Sequence, residues 1–409
     1  MDATTTFVIV GGGLAGAKAA ETLREEGFEG RVVLLTDEPE PPYERPPLSK
    51  GYLLGNDERD KAFVHPQPWY GEHDIDLRLG TRVTALDPGA HEVELDGSER
   101  IGYDKLLLAT GSEPRRLDVR GADLADVRYL RNLPDSDHLR DVLEEGHRVA
   151  IIGGGWIGLE VAAAARTHGA EVTVVEIAEL PLHGVLGEDV ALVFAGLHRE
   201  HGVDLRLGTR VREIVGDNGR VVAVVTSDGD EIMADTVVVG IGITPRVELA
   251  AAAGLTIEDG VAVDAGFRTS EADIYAAGDV AAIEHPLVGG RVRVEHWANA
   301  LDGGPAAARS MLGQDVSWNK LPYFFTDQYD LGMEYTGHAP PGSYDDVVLR
   351  GDVPGRAFQA FWLREGRPIA GMHVNLWDDG IAPIEELVKS GRTVDPARLA
   401  DPDVPLNEV

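Results

Sequence analysis

The chain has 409 residues, 43% hydrophobic and 26% charged, as expected for a globular protein of two or three domains. Its net charge of −33 argues against binding nucleic acid or an anionic membrane, because both need basic patches. The lack of cysteine excludes disulfides and redox-active dithiols. We expect a cytoplasmic protein, because the sequence has no apolar run of about 20 residues and "MDATTT" does not have the features of a targeting signal.

The first predicted unit is a strand, a glycine turn, a helix and a second strand. In chain order these are Phe7–Val10, Gly11–Gly13, Leu14–Glu25 and Arg31–Thr36. Glycines at 11, 13 and 16 give the spacing G-x-G-x-x-G at the junction of strand and helix. This combination is typical of a dinucleotide-binding βαβ unit.

The same unit returns later in the chain, at Val149–Ile152, Gly153–Gly155, Trp156–His168 and Glu171–Glu176. A second repeat follows each copy, because "DLRLGTRV" occurs at Asp76–Val83 and again at Asp204–Val211. Each half then has turn-rich alternating segments and closes on an apolar strand, within Lys105–Gly111 or Asp235–Gly242. The sequence therefore predicts two homologous Rossmann-like domains.

The remaining chain completes the first domain and adds a third. Thr269–Val280 ends in a strand, and Glu295–Leu312 is a predicted helix that returns to the first domain. From about Trp318 the chain is aromatic and strand-rich, and it ends with a helix near Ile381–Ser390. The predicted domains are residues 1–112 with 243–317, residues 113–242, and residues 318–409, the last of them α+β.

The residue types in each fingerprint have distinct physical tasks. The first glycine permits the tight turn, the second lets the backbone approach a pyrophosphate, and the third lets helix and strand pack closely. The phosphates then lie at the helix amino terminus. Asp37 and Glu176, at the ends of the next strands, are predicted to bind ribose hydroxyls. Since a carboxylate at Glu176 disfavours a 2′-phosphate, NADH is expected rather than NADPH. A glycine turn without a ligand is the alternative for one copy, but two complete copies favour dinucleotides.

Other kinds of site find no support in the sequence. The 13 histidines are scattered, so neither a serine–histidine–acid triad nor a metal site is predicted. Hydride transfer between dinucleotides needs no protein acid or base, because the cofactors carry the chemistry.

Six stretches together resemble one enzyme family: both fingerprints, "YERPPLSK" (Tyr43–Lys50), "LLLATGSEPRRL", "IYAAGDVA" and "PYFFTDQYDLGMEYTG". Over essentially the whole chain they are similar to the oxygenase-coupled ferredoxin reductases, to which apoptosis-inducing factor is related. The resemblance implies an α/β fold of glutathione-reductase-like architecture. It also implies FAD on the first domain, NADH on the second, and a carboxy-terminal domain that shapes the electron-exit face.

Fingerprint and resemblance together assign the site residues. Those expected to bind FAD are Gly11, Gly13, Leu14, Ala15, Gly16, Asp37, Arg45, Lys50, Val83, Ala109, Arg131, Gly278, Asp279 and Trp297. Those expected to bind NADH are Gly153, Gly155, Trp156, Ile157, Gly158, Glu160, Glu176 and Gly242. The helix beginning near Trp297 is expected to direct its positive end at the flavin.

The resemblance further implies that Lys50 and Glu160 form the catalytic pair, joining two of the predicted domains near the flavin and orienting the nicotinamide. As alternatives, Lys50 is a solvated loop charge, Glu160 serves only the helix dipole, and Gly278-Asp279 is an ordinary strand-end turn.

The predicted function is FAD-dependent NADH:ferredoxin reduction, with a small iron–sulfur ferredoxin, of two-iron type, that supplies an oxygenase. The alternatives are an NADH oxidase, an NADH:quinone reductase, or an NADH-responsive flavoprotein like apoptosis-inducing factor. Arg291 and Arg293 are candidate docking residues, and monomer and homodimer both stay open. Tyr323 and Phe325 stand where the family has tryptophans, so the partner's identity is open, and core packing is the other reading of these aromatic residues.

Overall fold

The computed structural model describes residues 4–409, and its internal contacts divide the chain into two compact units. The first unit comprises the described residues up to Arg45, together with Arg59–Glu113 and Thr244–Tyr323. The second comprises Pro46–Glu58, Pro114–Ile243 and Phe324–Val409. The short strands Ser112–Pro114 and Ile243–Pro245 contain two of the points where the chain passes from one unit to the other.

The first unit is built on a five-stranded parallel sheet. Its strands, in spatial order, are Ile274–Ala276, Lys105–Leu108, Thr6–Val10, Arg31–Leu35 and Ile75–Arg78. The apolar side chains of its central strands are almost completely buried, as the continuous hydrophobic runs predict for a parallel sheet covered on both faces. This confirms the predicted strand, turn, helix and strand of the first fingerprint.

Smaller elements complete the first unit. Its helices are Leu14–Glu25, Gln67–Glu72, Glu248–Ala252 and Trp297–Met311, with 3₁₀ turns at Arg59–Ala62 and Gly278–Val280. One three-stranded sheet is the antiparallel meander Val83–Asp87, Glu92–Leu95 and Glu99–Gly102, and the other contains Val261–Val263, Ala281–Glu284 and Arg291–Arg293. Trp318 packs edge-on against Phe267 in the core of this unit, with ring centroids 5.3 Å apart.

The second unit repeats the same plan. Its parallel sheet has the order Asp204–Arg206, Glu171–Val175, Arg148–Ile152, Thr236–Val239 and Val127–Tyr129. Its antiparallel meander is Val211–Asp217, Arg220–Thr226 and Glu231–Met233. The helices in this part are Leu133–Val142, Trp156–Thr167, His183–Leu186 and Glu188–Glu200, with a 3₁₀ turn at Pro46–Ser49. The second predicted fingerprint is thereby confirmed.

A five-stranded sheet follows in the second unit, with strand order Tyr323–Gln328, Leu331–Gly337, Arg367–Val374, Ala357–Arg364 and Asp346–Asp352. The helices Ala382–Ser390 and Pro396–Ala400 and the 3₁₀ turn Leu406–Glu408 end the chain. The sheet begins five residues after the boundary predicted at Trp318, and from Phe324 onward it belongs to the second unit. The division into three domains stays a prediction. Among residues 4–409, no helix combines the length and apolar character needed to cross a membrane.

The duplicated sequence "DLRLGTRV" adopts one backbone turn in both units. Gly80 and Gly208 both have a left-handed conformation, with φ of 59° and 61°. The Thr81 N–H donates to the carbonyl of Thr36 at 2.7 Å, and the Thr209 N–H donates to that of Glu176 at 2.9 Å. The turn therefore fastens the meander to the carboxyl end of the second parallel strand in each unit.

Candidate functional site

The glycines of the first fingerprint meet three different environments. A Cβ at Gly11, whose φ is +121°, would lie 2.0 Å from the carbonyl oxygen of Ala109, and one at Gly16 would lie 2.0 Å from that of Gly11. Both positions are closed by backbone. A Cβ at Gly13 would meet nothing within 4 Å, and the Leu14–Glu25 helix begins there without a side-chain cap. The middle glycine thus faces open space beside uncapped helix N–H groups, which fits an anion.

The second fingerprint has the same geometry. A Cβ at Gly153 would lie 2.3 Å from the oxygen of Gly240, and one at Gly158 would lie 2.1 Å from that of Gly153. A Cβ at Gly155 would again meet nothing within 4 Å, and the Trp156–Thr167 helix has no side-chain cap. Each unit therefore presents the cradle that a pyrophosphate requires.

The Glu176 carboxylate is held against its own fingerprint loop. Its Oε2 accepts the Gly154 N–H at 2.5 Å, and its Oε1 accepts the Ala178 N–H at 2.8 Å. An ionised carboxylate offers about four lone-pair positions, so each oxygen can also accept a ribose hydroxyl. The guanidinium of the adjacent strand's Arg206 is bound to Asp204 at 2.8 Å and to Asp230 at 3.7 Å.

The two strand-end acids are not structural equivalents. The paired strands and the duplicated turn place Thr36 in the first unit where Glu176 lies in the second. The Thr36 hydroxyl accepts the Glu38 N–H at 3.2 Å, as Glu176 accepts that of Ala178. Asp37 lies one residue further on and is paired with Arg246 at 3.3 Å. Counting along the sequence could not show this offset, because the two connections from helix to strand differ in length.

A charged cluster in the first unit contains three of the residues expected at the flavin. Arg45 Nη2 is 3.0 Å from Glu38 Oε1. Desolvation opposes its charge, but Tyr43, Glu38 and Asp279 together raise the pKa of Arg45 above its ordinary value. The Trp297 indole N–H donates to Glu44 Oε2 at 2.9 Å. The tripeptide 43–45 therefore interacts with Asp279 and Trp297 within the first unit, and the assignment of Arg45, Asp279 and Trp297 to FAD stays a prediction.

The helix that begins at Trp297 is fixed by close contact with the first fingerprint helix. A Cβ at Gly304 would lie 2.2 Å from the carbonyl oxygen of Ala15, and one at Gly278 would lie 3.1 Å from the Ala15 side chain. At Gly304 only a residue without a side chain lets the two helix backbones approach so closely. Ala15 thus packs against Gly278 and against the helix that begins at Trp297.

Lys50 and Glu160 form an ion pair inside the second unit. Lys50 Nζ lies 2.7 Å from Glu160 Oε1, and the two side chains are only 14% and 3% exposed. Thr326 Oγ1 donates to the same carboxylate oxygen at 2.6 Å, and Ser49 Oγ donates to the other. A solvated loop lysine is therefore the wrong alternative for Lys50. The expected pairing is present, and its role at the flavin stays a prediction.

The aromatic stretch at the start of the carboxy-terminal sheet serves two purposes in the second unit. Phe324 packs against Trp156, with ring centroids 5.0 Å apart, and stacks on Tyr335 at 4.8 Å. Phe325, the next residue, has its ring centroid 5.3 Å from Lys50 Nζ, a cation–π distance. Core packing thus explains Phe324, whereas Phe325 lies beside the ion pair.

The other predicted residues lie on the same frameworks. Within the first unit, Leu14 is buried at the start of the fingerprint helix, and Val83 follows the turn tied to Thr36. In the second unit, Arg131 precedes the capped Leu133–Val142 helix, Ile157 is exposed in the first turn of the fingerprint helix, and Gly242 has φ +100°. In the part of the chain that the structure describes, no three His, Asp or Glu side chains are grouped as a metal ion would need.

Sequence reasoning missed the polar side chains around Glu160. Ser49 belongs to the quoted "YERPPLSK" stretch, and Thr326 to "PYFFTDQYDLGMEYTG", but neither was assigned a contact. Gln328 is hydrogen-bonded to Thr326, His198 is hydrogen-bonded to Gln328, and both side chains are buried. Alternation along the Tyr323–Gln328 strand was the available signal, because it places Thr326 and Gln328 on one face.

The geometry defines a protein with two nucleotide-binding folds, each with an open pyrophosphate cradle. Comparison with known proteins agrees. The description "Pyridine nucleotide-disulphide oxidoreductase" matches residues 5–304, and "Reductase C-terminal" matches residues 323–409. The anthranilate 1,2-dioxygenase system ferredoxin–NAD(+) reductase component of Burkholderia cepacia is 43% identical over 401 residues, 98% of each chain. Rhodocoxin reductase of Rhodococcus erythropolis is 39% identical over 401 residues, 98% of this chain and 93% of that protein.

Structural comparison leads to the same group. A chain in the crystal structure of the covalent putidaredoxin reductase–putidaredoxin complex is 36% identical, with a TM-score of 0.95 over 100% of this chain and 98% of that one. This chain belongs to the pyridine nucleotide-disulphide oxidoreductase family, and it is an FAD- and NAD(H)-dependent oxidoreductase. The resemblance and the fold class inferred from sequence are confirmed.

Proposed function

We propose that this chain is an NADH:ferredoxin reductase that takes electrons from NADH through FAD to a small iron–sulfur ferredoxin serving an oxygenase. The observation that carries the proposal is the end-to-end likeness to ferredoxin–NAD(+) reductase components in a chain without cysteine. Since the chain holds no dithiol of its own, electrons have to leave the flavin for an external acceptor.

The proposal assigns FAD to the first fingerprint and NADH to the second. Gly13 and Gly155 would admit the pyrophosphates, and Asp37 and Glu176 would bind the ribose hydroxyls. When bound, FAD would supply the chemistry that matches NADH, a two-electron hydride donor, to a one-electron iron–sulfur acceptor. The Lys50–Glu160 pair supplies paired, buried charges to the reaction site.

Selection of NADH over NADPH is part of the proposal. The Glu176 carboxylate is already fixed by two backbone N–H groups, so it cannot turn away from a 2′-phosphate without losing both. Arg206 is bound to two aspartates, which leaves its charge compensated. A 2′-phosphate would therefore meet a negative charge.

The partner is proposed by class alone, as a two-iron ferredoxin. Arg291 is paired with Glu258 at 3.0 Å, and Arg293 is 3.5 Å from Asp259 and also binds Glu295, so both candidate docking arginines have acidic partners. These pairs weaken their candidacy, because an acidic ferredoxin would compete with the chain's own carboxylates. A cytoplasmic location, as a monomer or a homodimer, completes the proposal.

The test is NADH-driven reduction of cytochrome c by the purified flavoprotein, with and without a two-iron ferredoxin. Strong stimulation by ferredoxin with NADH, and little activity with NADPH, is the expected result. Flavin bleaching by NADH without stimulation by any of several ferredoxins would favour an oxidase or quinone reductase instead. Flavin that NADH does not bleach would refute the hydride step itself.

A further inference from the structure

A chain of buried polar side chains in the second unit ends on Glu160. The Thr326 hydroxyl donates to Glu160 Oε1 at 2.6 Å, and the Gln328 amide nitrogen lies 3.1 Å from Thr326 Oγ1. The Gln328 amide oxygen lies 2.8 Å from His198 Nε2. Thr326, Gln328 and His198 are each at most 1% exposed, so every unmade hydrogen bond among them would be costly.

Hydrogen-bond donation can run in only one direction through this series of side chains. Glu160, paired with the Lys50 ammonium, only accepts, so the Thr326 hydroxyl proton is committed to it. Thr326 Oγ1 must then accept from the Gln328 amide nitrogen, which turns the amide oxygen toward His198. That contact requires a proton on His198 Nε2, and it leaves Nδ1 to accept from the Tyr329 hydroxyl at 3.4 Å.

His198 is suited to this task because it stays neutral. Its pKa is lowered to about 4, chiefly by burial; the hydrogen bond to Gln328 opposes this change and His201 adds to it. A neutral imidazole has one donor and one acceptor, as the hydrogen bonds to Gln328 and Tyr329 require. Thr326, Gln328 and His198 are not among the residues assigned to the proposed cofactors.

We propose that His198 and Gln328 are positioning residues, which hold the Thr326 hydroxyl on Glu160 and thereby keep the carboxylate turned toward Lys50. Without the His198 N–H, the Gln328 amide is free to rotate and present its oxygen to Thr326. The hydroxyl proton would then leave Glu160 for Gln328, and the carboxylate would lose one of its three donors. The inference rests on the proposed function in so far as the Lys50–Glu160 pair serves reduction by NADH.

A double-mutant cycle tests the proposal, with flavin bleaching by saturating NADH followed in a stopped-flow instrument and no ferredoxin present. His198→Leu should lower the limiting rate roughly 10-fold or more, since small misplacements near reacting groups have effects of this size. His198→Gln, whose terminal amide reaches the position of Nε2, should stay within about 2-fold of the unmodified protein. In a Glu160→Gln background, His198→Leu should cause no further loss beyond about 2-fold.

The matched control is Leu197→Val, which alters the neighbouring buried residue without touching a hydrogen bond. If His198→Leu does not fold, Thr326→Val against Thr326→Ser replaces it in the same cycle, because valine keeps the shape and removes the hydroxyl. An equal loss from His198→Leu in both backgrounds would overturn the proposal, since a merely structural role predicts that result.

Nitrogen-15 NMR of the histidines in the oxidised holoenzyme gives a second reading that does not depend on activity. His198 should be a single neutral Nε2–H tautomer whose signals do not titrate between pH 5.5 and 9. An Nδ1–H tautomer would reverse the direction of donation and refute the proposal. Failure of the ferredoxin assay alone would affect the proposed function and leave these results intact, and the NMR result stands even if NADH bleaches no flavin.

Discussion

Gly155→Ala should separate ligand binding from folding. Gly155 has an ordinary φ of −81°, and a Cβ there would meet nothing within 4 Å. Alanine fits the backbone, so the free energy of unfolding should change by less than about 1 kcal/mol. The new methyl group would occupy the open space that the pyrophosphate needs.

The expected loss of NADH affinity follows from the hydrogen bonds at stake. A methyl group that moves the pyrophosphate away from one helix N–H removes one charged hydrogen bond, worth about 1.5–3 kcal/mol. The Kd of NADH should therefore rise roughly 10- to 100-fold. Stopped-flow bleaching of the flavin at increasing NADH concentration gives this Kd, and urea unfolding gives the stability.

Gly196→Ala is the matched control, since a Cβ at Gly196 also meets nothing within 4 Å and the residue lies inside the Glu188–Glu200 helix. It should leave the Kd unchanged and raise stability by up to about 1 kcal/mol. An unchanged Kd in Gly155→Ala would refute the assignment of this loop to the pyrophosphate. A large loss of stability would refute the reading of its open surroundings.

Three more substitutions probe the fingerprint, the cofactor preference and the pH dependence. Gly158→Ala should prevent folding of the second unit, because its Cβ would lie 2.1 Å from the Gly153 oxygen, and the yield of protein that unfolds cooperatively in urea measures this. Glu176→Ser should lower kcat/KM for NADH roughly 10-fold, because a charged hydrogen bond to the ribose is lost, and should raise kcat/KM for NADPH. The matched control, Glu179→Ser at an exposed position, should change neither value. Folding lowers the pKa of His198 from 6.5 to about 4, so the unfolded chain binds more protons between these values and stability falls as pH falls through that window. Between pH 7 and pH 5 the titration of His198 should lower the free energy of unfolding by about 2 kcal/mol. In His198→Gln, the free energies of unfolding measured in urea at the two pH values should differ by about 2 kcal/mol less than in the unmodified protein. An undiminished difference would contradict the assignment.

Most of the fold could be predicted from local pattern. The Leu14–Glu25 helix was predicted at its observed bounds, and the Trp156–Thr167 helix ends one residue early, because glycine turns, apolar runs and helix length all agreed. The helix predicted from Glu295 starts at Trp297 instead. No capping box or proline marks that start, so the local pattern did not give it, whereas the resemblance places the beginning of the helix near Trp297.

The polar surroundings of Glu160 could not be predicted in the same way. Ser49, Glu160 and Thr326 are separated by more than 100 residues at each step, and only packing of the second unit brings them together. Lys50 and Glu160 were matched through resemblance, whereas His198 belongs to no quoted motif. The offset between Asp37 and Glu176 also needed coordinates, because strand register decides it.

The duplicated turn allows the two units to be compared residue by residue. The equivalent backbone hydrogen bonds of Thr81 and Thr209 define matching positions in two segments whose side chains differ. At one equivalent position the first unit has the hydroxyl of Thr36 and the second has the carboxylate of Glu176. At the next position the first unit has the acid Asp37 and the second has the exposed apolar side chain of Ile177. Residues that differ at such equivalent positions distinguish the two units within an architecture that both share. Exchanging these pairs would test how few residues determine which dinucleotide each unit binds.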